Sequence, residues 1–453
     1  MNREARRIFA AALAAADPGS AVRRHLALQG DRLLADGCEY RLDDFHRLLV
    51  LGGGKAAVPM GAAVEEMLGD RISGGLLVTR RGSSGLLGRI TLAQASHPLP
   101  DEEGMRAALE ILEIARSADE RALVLCLISG GASALLAAPA AGLALEDKQA
   151  VTGLMLRSGA SIDELNAVRK HLSAIKGGRL ARAAHPAAML TLALSDVIGD
   201  RLDVIASGPT APDATTFADA TAVIAKYGLW PHLPARAADH LRRGLEGLEV
   251  ETVKQDDPCF ARAAHVLVGS LSQALAAAAA QARALGFRVE IVTRELQGEA
   301  RDAARWLATR ALHARAGLAA GERLCLLSGG ETTVTVRGGG AGGRNQELAL
   351  AFAMEIAAEE GITLLSAGSD GLDGPTDAAG ALVDGRTMQA GRETGLAAAA
   401  YLENNDSYSF FSELDLRAGV ASHVKTGPTG TNVMDIQVIL LGGMAPAGRE
   451  AEA

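Results

Sequence analysis

Arg47-Leu48-Leu49-Val50-Leu51-Gly52-Gly53-Gly54-Lys55 decides how this chain is to be read. The apolar run at 47–51 reads as a strand, the glycines turn the chain, and Lys55 stands before an apolar helical pattern over 56–68. Strand, glycine turn and helix make a βα unit, and a helix start is a natural place for an anion. The full phosphate-loop pattern G-x-x-x-x-G-K-[ST] is absent, so this is not a Walker loop. A lysine at a helix start opposes the helix dipole unless an anion sits nearby. Lys55 is therefore a candidate functional cation, with a solvated surface lysine as the alternative.

Working outward, apolar strands recur at 75–79, 90–95, 122–128 and 188–194, with helical patterns between them. That alternation predicts an α/β layered, Rossmann-like N-terminal domain with a largely parallel sheet. Ser161-Ile162-Asp163-Glu164 is a capping box, and the helix it opens should carry Asn166, Arg169, Ser173 and Lys176 along one face. The pattern breaks at 227–234, and a polar stretch follows at 251–258, which places a junction there. The expected domains are 1–235 and 236–453, with mostly parallel or mixed sheets around an interdomain cleft. A second α/β cycle runs through strands at 265–268, 288–293 and 324–327, with a helix over 271–284. Cys126-Leu127-Ile128-Ser129-Gly130-Gly131 reappears as Cys325-Leu326-Leu327-Ser328-Gly329-Gly330, a Ser-Gly-Gly loop ending each of two strands. In open α/β sheets, ligands bind at such carboxyl ends.

The second glycine run is Gly338-Gly339-Gly340-Ala341-Gly342-Gly343, followed by Arg344-Asn345-Gln346-Glu347 opening a helix to about residue 358. Alternation at 332–336 predicts a strand before it. Glycines at these positions allow positive φ or close approach of a ligand, and Arg344 offers a planar fork for phosphate or carboxylate oxygens. Gly338, Gly340 and Gly343 also satisfy G-x-G-x-x-G, a dinucleotide fingerprint. That fingerprint wants an acid about 20 residues on. Glu359 and Glu360 look instead like the solvated end of a helix. Asp370, Asp373 and Asp377 fall among glycines in a loop suited to Mg²⁺ or a substrate hydroxyl, or else in a plain surface turn. EF-hand spacing is not met.

Asp196 at the end of the 188–194 strand is a candidate metal ligand or general base. His97 could shuttle a proton, although a histidine beside a proline is more often structural. Thr426-Gly427-Pro428-Thr429-Gly430-Thr431-Asn432 offers hydroxyls and backbone donors as a rim for an anion, or is an ordinary loop.

The chain has 453 residues, 48% hydrophobic and 22% charged, with a formal net charge of -9 and 3% aromatics. The negative charge and the scarcity of stacking aromatics argue against nucleic acid. Cys38, Cys126, Cys259 and Cys325 lie too far apart for a disulfide framework or a zinc site, and read as reduced thiols. Residues 122–145 carry no charge, but their Ser, Gly and Pro residues break them into strand and loop rather than a membrane span. The N-terminus imitates a signal peptide, yet its alanines and Glu4 fit an amphipathic helix. Cytoplasmic residence is expected.

The set of motifs resembles the bacterial glycerate 2-kinases. The resemblance is carried by Leu51-Gly52-Gly53-Gly54-Lys55-Ala56, His97-Pro98-Leu99-Pro100-Asp101, Ser129-Gly130-Gly131-Ala132-Ser133, Asn166-Ala167-Val168-Arg169-Lys170-His171 and Leu194-Ser195-Asp196-Val197. Gly342-Gly343-Arg344-Asn345-Gln346-Glu347, Asp370-Gly371-Leu372-Asp373-Gly374-Pro375-Thr376-Asp377 and Gly427-Pro428-Thr429-Gly430-Thr431-Asn432 complete it. The C-terminal part, about 320–445, resembles the region called MOFRL in that family. The resemblance implies ATP-dependent phosphorylation of D-glycerate at its 2-hydroxyl, a divalent metal (Mg²⁺), two α/β domains around a cleft, and catalytic importance for Lys55 and Arg344. Members have also been labelled hydroxypyruvate reductases, which is the alternative reading.

On that reading, Lys55 and Arg344 clamp the transferring phosphoryl group. Gly53, Gly54, Ser129, Gly130, Gly131, Ser133, Gly342, Gly343 and Asn345 cradle the nucleotide. Asp196, Asp370 or Asp377, or Asp373 beside them, holds Mg²⁺, and Asp196 also serves as a candidate base. Arg169, Lys176, Thr429 and Asn432 contact the substrate. The partners are small molecules, with a homodimer also considered.

Overall fold

A short antiparallel ribbon, β1 (Leu26–Gln29), β2 (Arg32–Ala35) and β3 (Cys38–Arg41), precedes the stretch that opened the sequence reading. That stretch is the strand β4 (Arg47–Gly53), followed by β5 (Gly74–Arg80), β6 (Thr91–Ala95), β7 (Ala122–Ile128), β8 (Ala188–Leu194) and β9 (Ala263–Gly269). They lie in the order β6-β5-β4-β7-β8-β9. Numbered from the first strand of this sheet, the order is 3-2-1-4-5-6, the Rossmann arrangement. The pairs β4–β5, β5–β6, β4–β7 and β7–β8 are parallel. Every residue of β7 and β8 is buried. Helices cover both faces of such a sheet, so its central strands read as continuous apolar runs. Each fully buried Leu or Ile contributes about 1.5–3 kcal/mol.

A computed structural model describes residues 1–443 of the chain as two compact units. One is Pro18–Val268, and the other joins Met1–Asp17 to the described residues from Gly269 onward. The junction thus falls after Val268 rather than after residue 235. The polar stretch at 251–258 that suggested an earlier break is a connection inside the first unit, leading into β9. The N-terminal helix Asn2–Ala16 is amphipathic as expected, burying Ala5, Ile8, Phe9 and Ala12. It packs on the helix Leu271–Ala284 and so belongs to the second unit.

The second unit holds β10 (Arg288–Leu296), β11 (Arg323–Gly330), β12 (Ile362–Gly368), β13 (Gly380–Asp384), β14 (His423–Val424) and β15 (Asp435–Gly442), in the order β10-β11-β15-β12-β13-β14. Only β10–β11 is parallel; β15 runs antiparallel between β11 and β12. Its first residue, Asp435, therefore faces both Gly330 and Gly368, the last residues of its neighbours. The strand expected at 332–336 does not form: this segment is irregular apart from one isolated bridge between Thr333 and Glu299.

The capping box is present. Ser161 Oγ accepts from Glu164 N at 3.3 Å, and Glu164 Oε2 accepts from Ser161 N at 2.9 Å. The helix nevertheless stops at His171, short of the expected face. The chain beyond it leaves the helix to pair with residues 138–140: Ala140 N donates to Leu172 O and Ala174 N to Ala138 O, each at 3.1 Å. Lys176 thus stands on a turn. Among the described residues, no helix is long and apolar enough to cross a membrane.

Candidate active site

In the first unit, the strand order reverses between β4 and β7, and there two loops are stitched together. Ser129 N donates to Gly53 O (3.2 Å), Lys55 N to Gly130 O (2.9 Å) and Ala56 N to Ser129 Oγ (3.1 Å). Gly54 has φ +140°, and a Cβ there would overlap Ser129 Oγ. The β4 glycines thus admit the neighbouring strand and its loop rather than a pyrophosphate. With Ala57 N donating to Gly54 O, the amides of Lys55, Ala56 and Ala57 are all taken up at this helix start.

What the stitching leaves exposed is side-chain chemistry. A Cβ added at Gly131 would lie 3.1 Å from both Lys55 Cγ and the His97 ring, and one at Gly130 would overlap the Asp196 carboxylate. Lys55, His97 and Asp196 therefore converge on the Gly130-Gly131 edge. Lys55 makes no ion pair among the described residues. Burial, then the charges of Lys55 and Arg80, push the His97 imidazole down to about 4, so it is neutral near pH 7.

Ser133, at the far end of the same loop, joins a polar chain. Its hydroxyl meets Ser207 Oγ at 2.9 Å, and Ser207 Oγ donates to Asn166 Oδ1 at 3.0 Å. Lys176 Nζ donates to Ser133 O at 2.8 Å, to Ser133 Oγ at 3.2 Å and to Ala206 O at 3.4 Å. Ala206 and Ser207 hold left-handed φ values of +55° and +63°. Such backbone costs non-glycine residues about 1–2 kcal/mol each. The strain aims Ala206 O and Ser207 Oγ into this network.

In the second unit, Arg344 begins the helix Arg344–Glu355. Its Nε and Nη2 grip Asp435 at 2.6 and 3.0 Å, and its Nη1 meets Glu331 at 2.9 Å. Burial opposes the guanidinium charge, but Asp435, Glu331 and Asp373 outweigh it and raise the pKa. Asp373 is buried, accepting from Asn345 N at 3.1 Å, Gln346 N at 2.8 Å and Gln346 Nε2 at 3.0 Å. It acts as the helix cap. Burial pushes its carboxyl up to about 6 despite those donors.

Three comparisons with known proteins bear on this arrangement. The family described as a domain of unknown function, DUF4147, matches residues 4–242, and the MOFRL family matches residues 324–435. The chain is 40% identical to a glycerate 2-kinase of Pyrococcus horikoshii over 96% of each chain, and 41% identical to a D-glycerate 2-kinase of Thermotoga maritima over 87% of this chain and 91% of the relative. The chain belongs to the glycerate 2-kinase family. A crystal structure of the glycerate kinase from Thermotoga maritima superposes with a TM-score of 0.84 at 38% identity, covering 97% of this chain and 99% of that one.

Several sequence expectations for this family member change on the folded chain. No glycine from 338 to 343 has positive φ, and the run is not an open cradle. Gly338 N donates to Asn405 Oδ1, Gly339 N to Asn404 Oδ1, Gly340 N to Asn404 O and Ala341 N to Asp406 Oδ1. A Cβ at Gly342 would overlap Ser407, and one at Gly343 would overlap Asp373. Asn345 is buried, its Oδ1 accepting from Ser366 Oγ at 2.7 Å. The dinucleotide fingerprint is a packing device.

The loop carboxylates also separate in role. Asp377 pairs with Lys425 at 2.9 Å and accepts from Tyr408 at 2.8 Å, while Asp370 accepts from Leu372 N at 3.2 Å. Thr429 Oγ1 donates to Ser369 O at 2.6 Å, tying its loop to the segment that carries Asp370, and Asn432 Oδ1 accepts from Met434 N at 3.1 Å, bracing its own loop. Among the described residues, no three His, Cys, Asp or Glu side chains are grouped to hold a metal ion. Asp435 and Glu331 were missed by sequence reasoning. Asp435 heads the apolar run at 435–442 at the amino end of its strand, so the carboxyl-end rule that singled out Asp196 does not find it; antiparallel pairing beside Gly330 and Gly368 brings it to that edge of the sheet.

Proposed function

We propose that this protein is a glycerate 2-kinase, transferring the γ-phosphoryl group of ATP to the 2-hydroxyl of D-glycerate to give 2-phosphoglycerate and ADP. The observation that carries the reading on the molecule itself is Lys55. It is a cation without an ion pair among the described residues, fixed by its own backbone at the strand-order reversal, beside a neutral His97 and Asp196. Phosphoryl transfer asks for this: its transition state spreads negative charge over equatorial oxygens, and catalysis is mostly positioning and charge stabilisation. Lys55 supplies a mobile ammonium for those oxygens. In the second unit, Arg344 is a separate candidate cation, its plane locked by Asp435. His97, held neutral beside Lys55, accepts the proton of the 2-hydroxyl.

Magnesium chelated by nucleotide phosphates needs only one or two protein carboxylates. Asp377 is committed to Lys425 and Tyr408, so it does not fit that role. Asp196 fits better, lying beside Lys55, and is the residue we assign to a nucleotide-bound Mg²⁺, which would neutralise phosphate charge.

The hydroxypyruvate reductase alternative needs a pyrophosphate at a glycine-loop helix start. The donated amides at Lys55–Ala57 and at Asn345–Gln346 argue against both places. The test is purified protein given ATP, Mg²⁺ and D-glycerate, with ADP release followed and the product read by phosphorus NMR. A phosphomonoester coupled to the C2 proton is expected. NADH oxidation by hydroxypyruvate without glycerate-dependent ADP release would sink the proposal.

A further inference from the structure

Three neighbouring strands of the first unit, β6, β5 and β4, end at one edge of the sheet. Gly53 of β4 pairs with Val78 of β5, and Arg80 of β5 pairs with Ala95 of β6. Lys55 follows Gly53 by the same two residues that separate Arg80 from Val78 and His97 from Ala95. Arg80, on the middle strand, thus comes to the same edge as Lys55 and His97. Gly54 N donates to Val78 O at 2.9 Å, tying the Lys55 turn to the strand that carries Arg80. By strand alternation Arg80 shares the face of Leu76 and Val78, which Leu135 and Leu136 cover just past the Ser129–Ser133 loop. Adjacent Arg81 is paired in the ordinary way, its Nη2 meeting Asp101 at 2.8 Å and Glu103 at 2.9 Å. Arg80 is exposed, and its guanidinium donors have no hydrogen bond or ion pair among the described residues.

An exposed arginine without a partner is common, but the carboxyl edge of a parallel sheet is where such folds bind ligands. Lys55 and Arg80 also act on the same group: after burial and Lys55, the charge of Arg80 depresses the His97 imidazole. Two unpaired cations on one rim repel each other, and an anion between them relieves that repulsion. The two cations differ in shape. Lys55 is a point charge suited to phosphoryl oxygens, whereas a guanidinium is a planar fork that takes both oxygens of one carboxylate. In a 2-hydroxy acid the carboxylate is bonded to the carbon that carries the reacting hydroxyl. The group that binds it must therefore stand beside the base that receives the hydroxyl proton, and Arg80 stands beside His97.

We propose that Arg80 is the carboxylate-binding residue of the acceptor site: its guanidinium takes the carboxylate of a 2-hydroxy acid, presents the 2-hydroxyl to His97 and leaves Lys55 to the phosphoryl group. The proposal rests on the kinase reading and deepens it, because it makes Arg80 the residue that selects an acid over a polyol. The carboxylate does not change during transfer, so Arg80 holds ground state and transition state alike and acts on KM rather than kcat.

Calorimetry on the full chain tests the contact without turnover, using D-glycerate, MgATP, and glycerol as an analogue lacking the carboxylate. Arg80→Gln should weaken D-glycerate binding about 10- to 100-fold, the loss expected for charge-assisted hydrogen bonds, and leave MgATP affinity unchanged. In the kinase assay the same variant should raise KM for D-glycerate by a similar factor with kcat within about twofold of wild type. Arg80→Lys should recover part of the affinity, since it restores the charge without the fork. Arg80 is exposed, so both variants should fold as wild type, which circular dichroism checks. Unchanged D-glycerate affinity in Arg80→Gln overturns the proposal, as does a loss confined to MgATP, glycerol binding as tight as that of D-glycerate, or wild type that binds no D-glycerate. The kinase reading fails separately. Wild type that releases no ADP yet binds D-glycerate through Arg80 loses the reaction and keeps the contact, whereas glycerate-dependent ADP release with an unaffected Arg80→Gln variant removes the contact alone.

Discussion

Arg344 and Lys55 are both cations at helix starts, yet their surroundings differ in kind. Lys55 has no ion pair among the described residues, whereas Arg344 is gripped by Asp435 and Glu331. A cation already paired attracts a phosphoryl group less but is held in one orientation, which favours a late, geometry-dependent contribution. Lys55→Ala and Arg344→Ala should each lower kcat about 10²- to 10³-fold with circular dichroism unchanged. Activity within a few-fold of wild type in either would remove that residue from the mechanism. Asp435→Asn should cost about tenfold in kcat on its own and nothing further in an Arg344→Ala background, since coupled residues are non-additive. A full multiplicative loss in the double variant would place Asp435 in some other role. His97 offers a pH test. Its folded pKa is about 4, below its usual 6.5, so its contribution to stability is complete above pH 6.5 and is lost as pH falls toward 4. His97→Gln should flatten the fall in urea midpoint over that window relative to wild type; parallel curves would mean that the imidazole protonates freely in the folded protein.

At the scale of elements, the two glycine loops show one residue type serving different needs. Gly54 needs both its φ of +140° and the missing Cβ, because Ser129 occupies that space. The run at 338–343 needs only the missing Cβ, against Asn404, Asp406, Ser407 and Asp373, and not at every position. Gly339 has nothing within 4 Å of an added Cβ, whereas Gly340 would meet Asn404 O at 2.7 Å. Gly339→Ala should therefore change unfolding free energy by less than about 0.5 kcal/mol, and Gly340→Ala should destabilise by about 1–3 kcal/mol. Equal effects in denaturant melts would contradict the packing account. The repeated Cys-Leu-x-Ser-Gly-Gly is likewise not one device used twice. Ser129 accepts from Ala56 N in a loop, whereas Ser328 lies inside β11 and donates to Gln437 Oε1 at 3.0 Å.

For the whole molecule, the kinase reading makes one global demand: ADP should appear only when ATP, D-glycerate and a divalent cation are all present, and chelation by EDTA should stop it. ADP formation undiminished by EDTA would exclude the Mg²⁺ role given to Asp196. Much of this organisation was legible beforehand. Alternating apolar runs and helical patterns specify the α/β class because buried parallel strands must be continuously apolar, and the capping box at Ser161 is local chemistry that needs no tertiary context. Lys55 was readable for the same reason, as a charge placed against a helix dipole. Partners distant in sequence were not readable. Whether a glycine run faces a ligand depends on where Asn404 to Asp406 fold back, and whether Arg344 is free depends on a strand that begins 91 residues later. Among the described residues, no counter-ion meets Lys148, Arg169 or Lys176, whereas Lys170 has Asp213 and Asp203, a difference that only the folded chain reveals. Sequence by itself determined the layers, the strand ends and the cations; tertiary structure decided which donors are already spent, because hydrogen bonds are satisfied by whatever packing brings within about 3 Å.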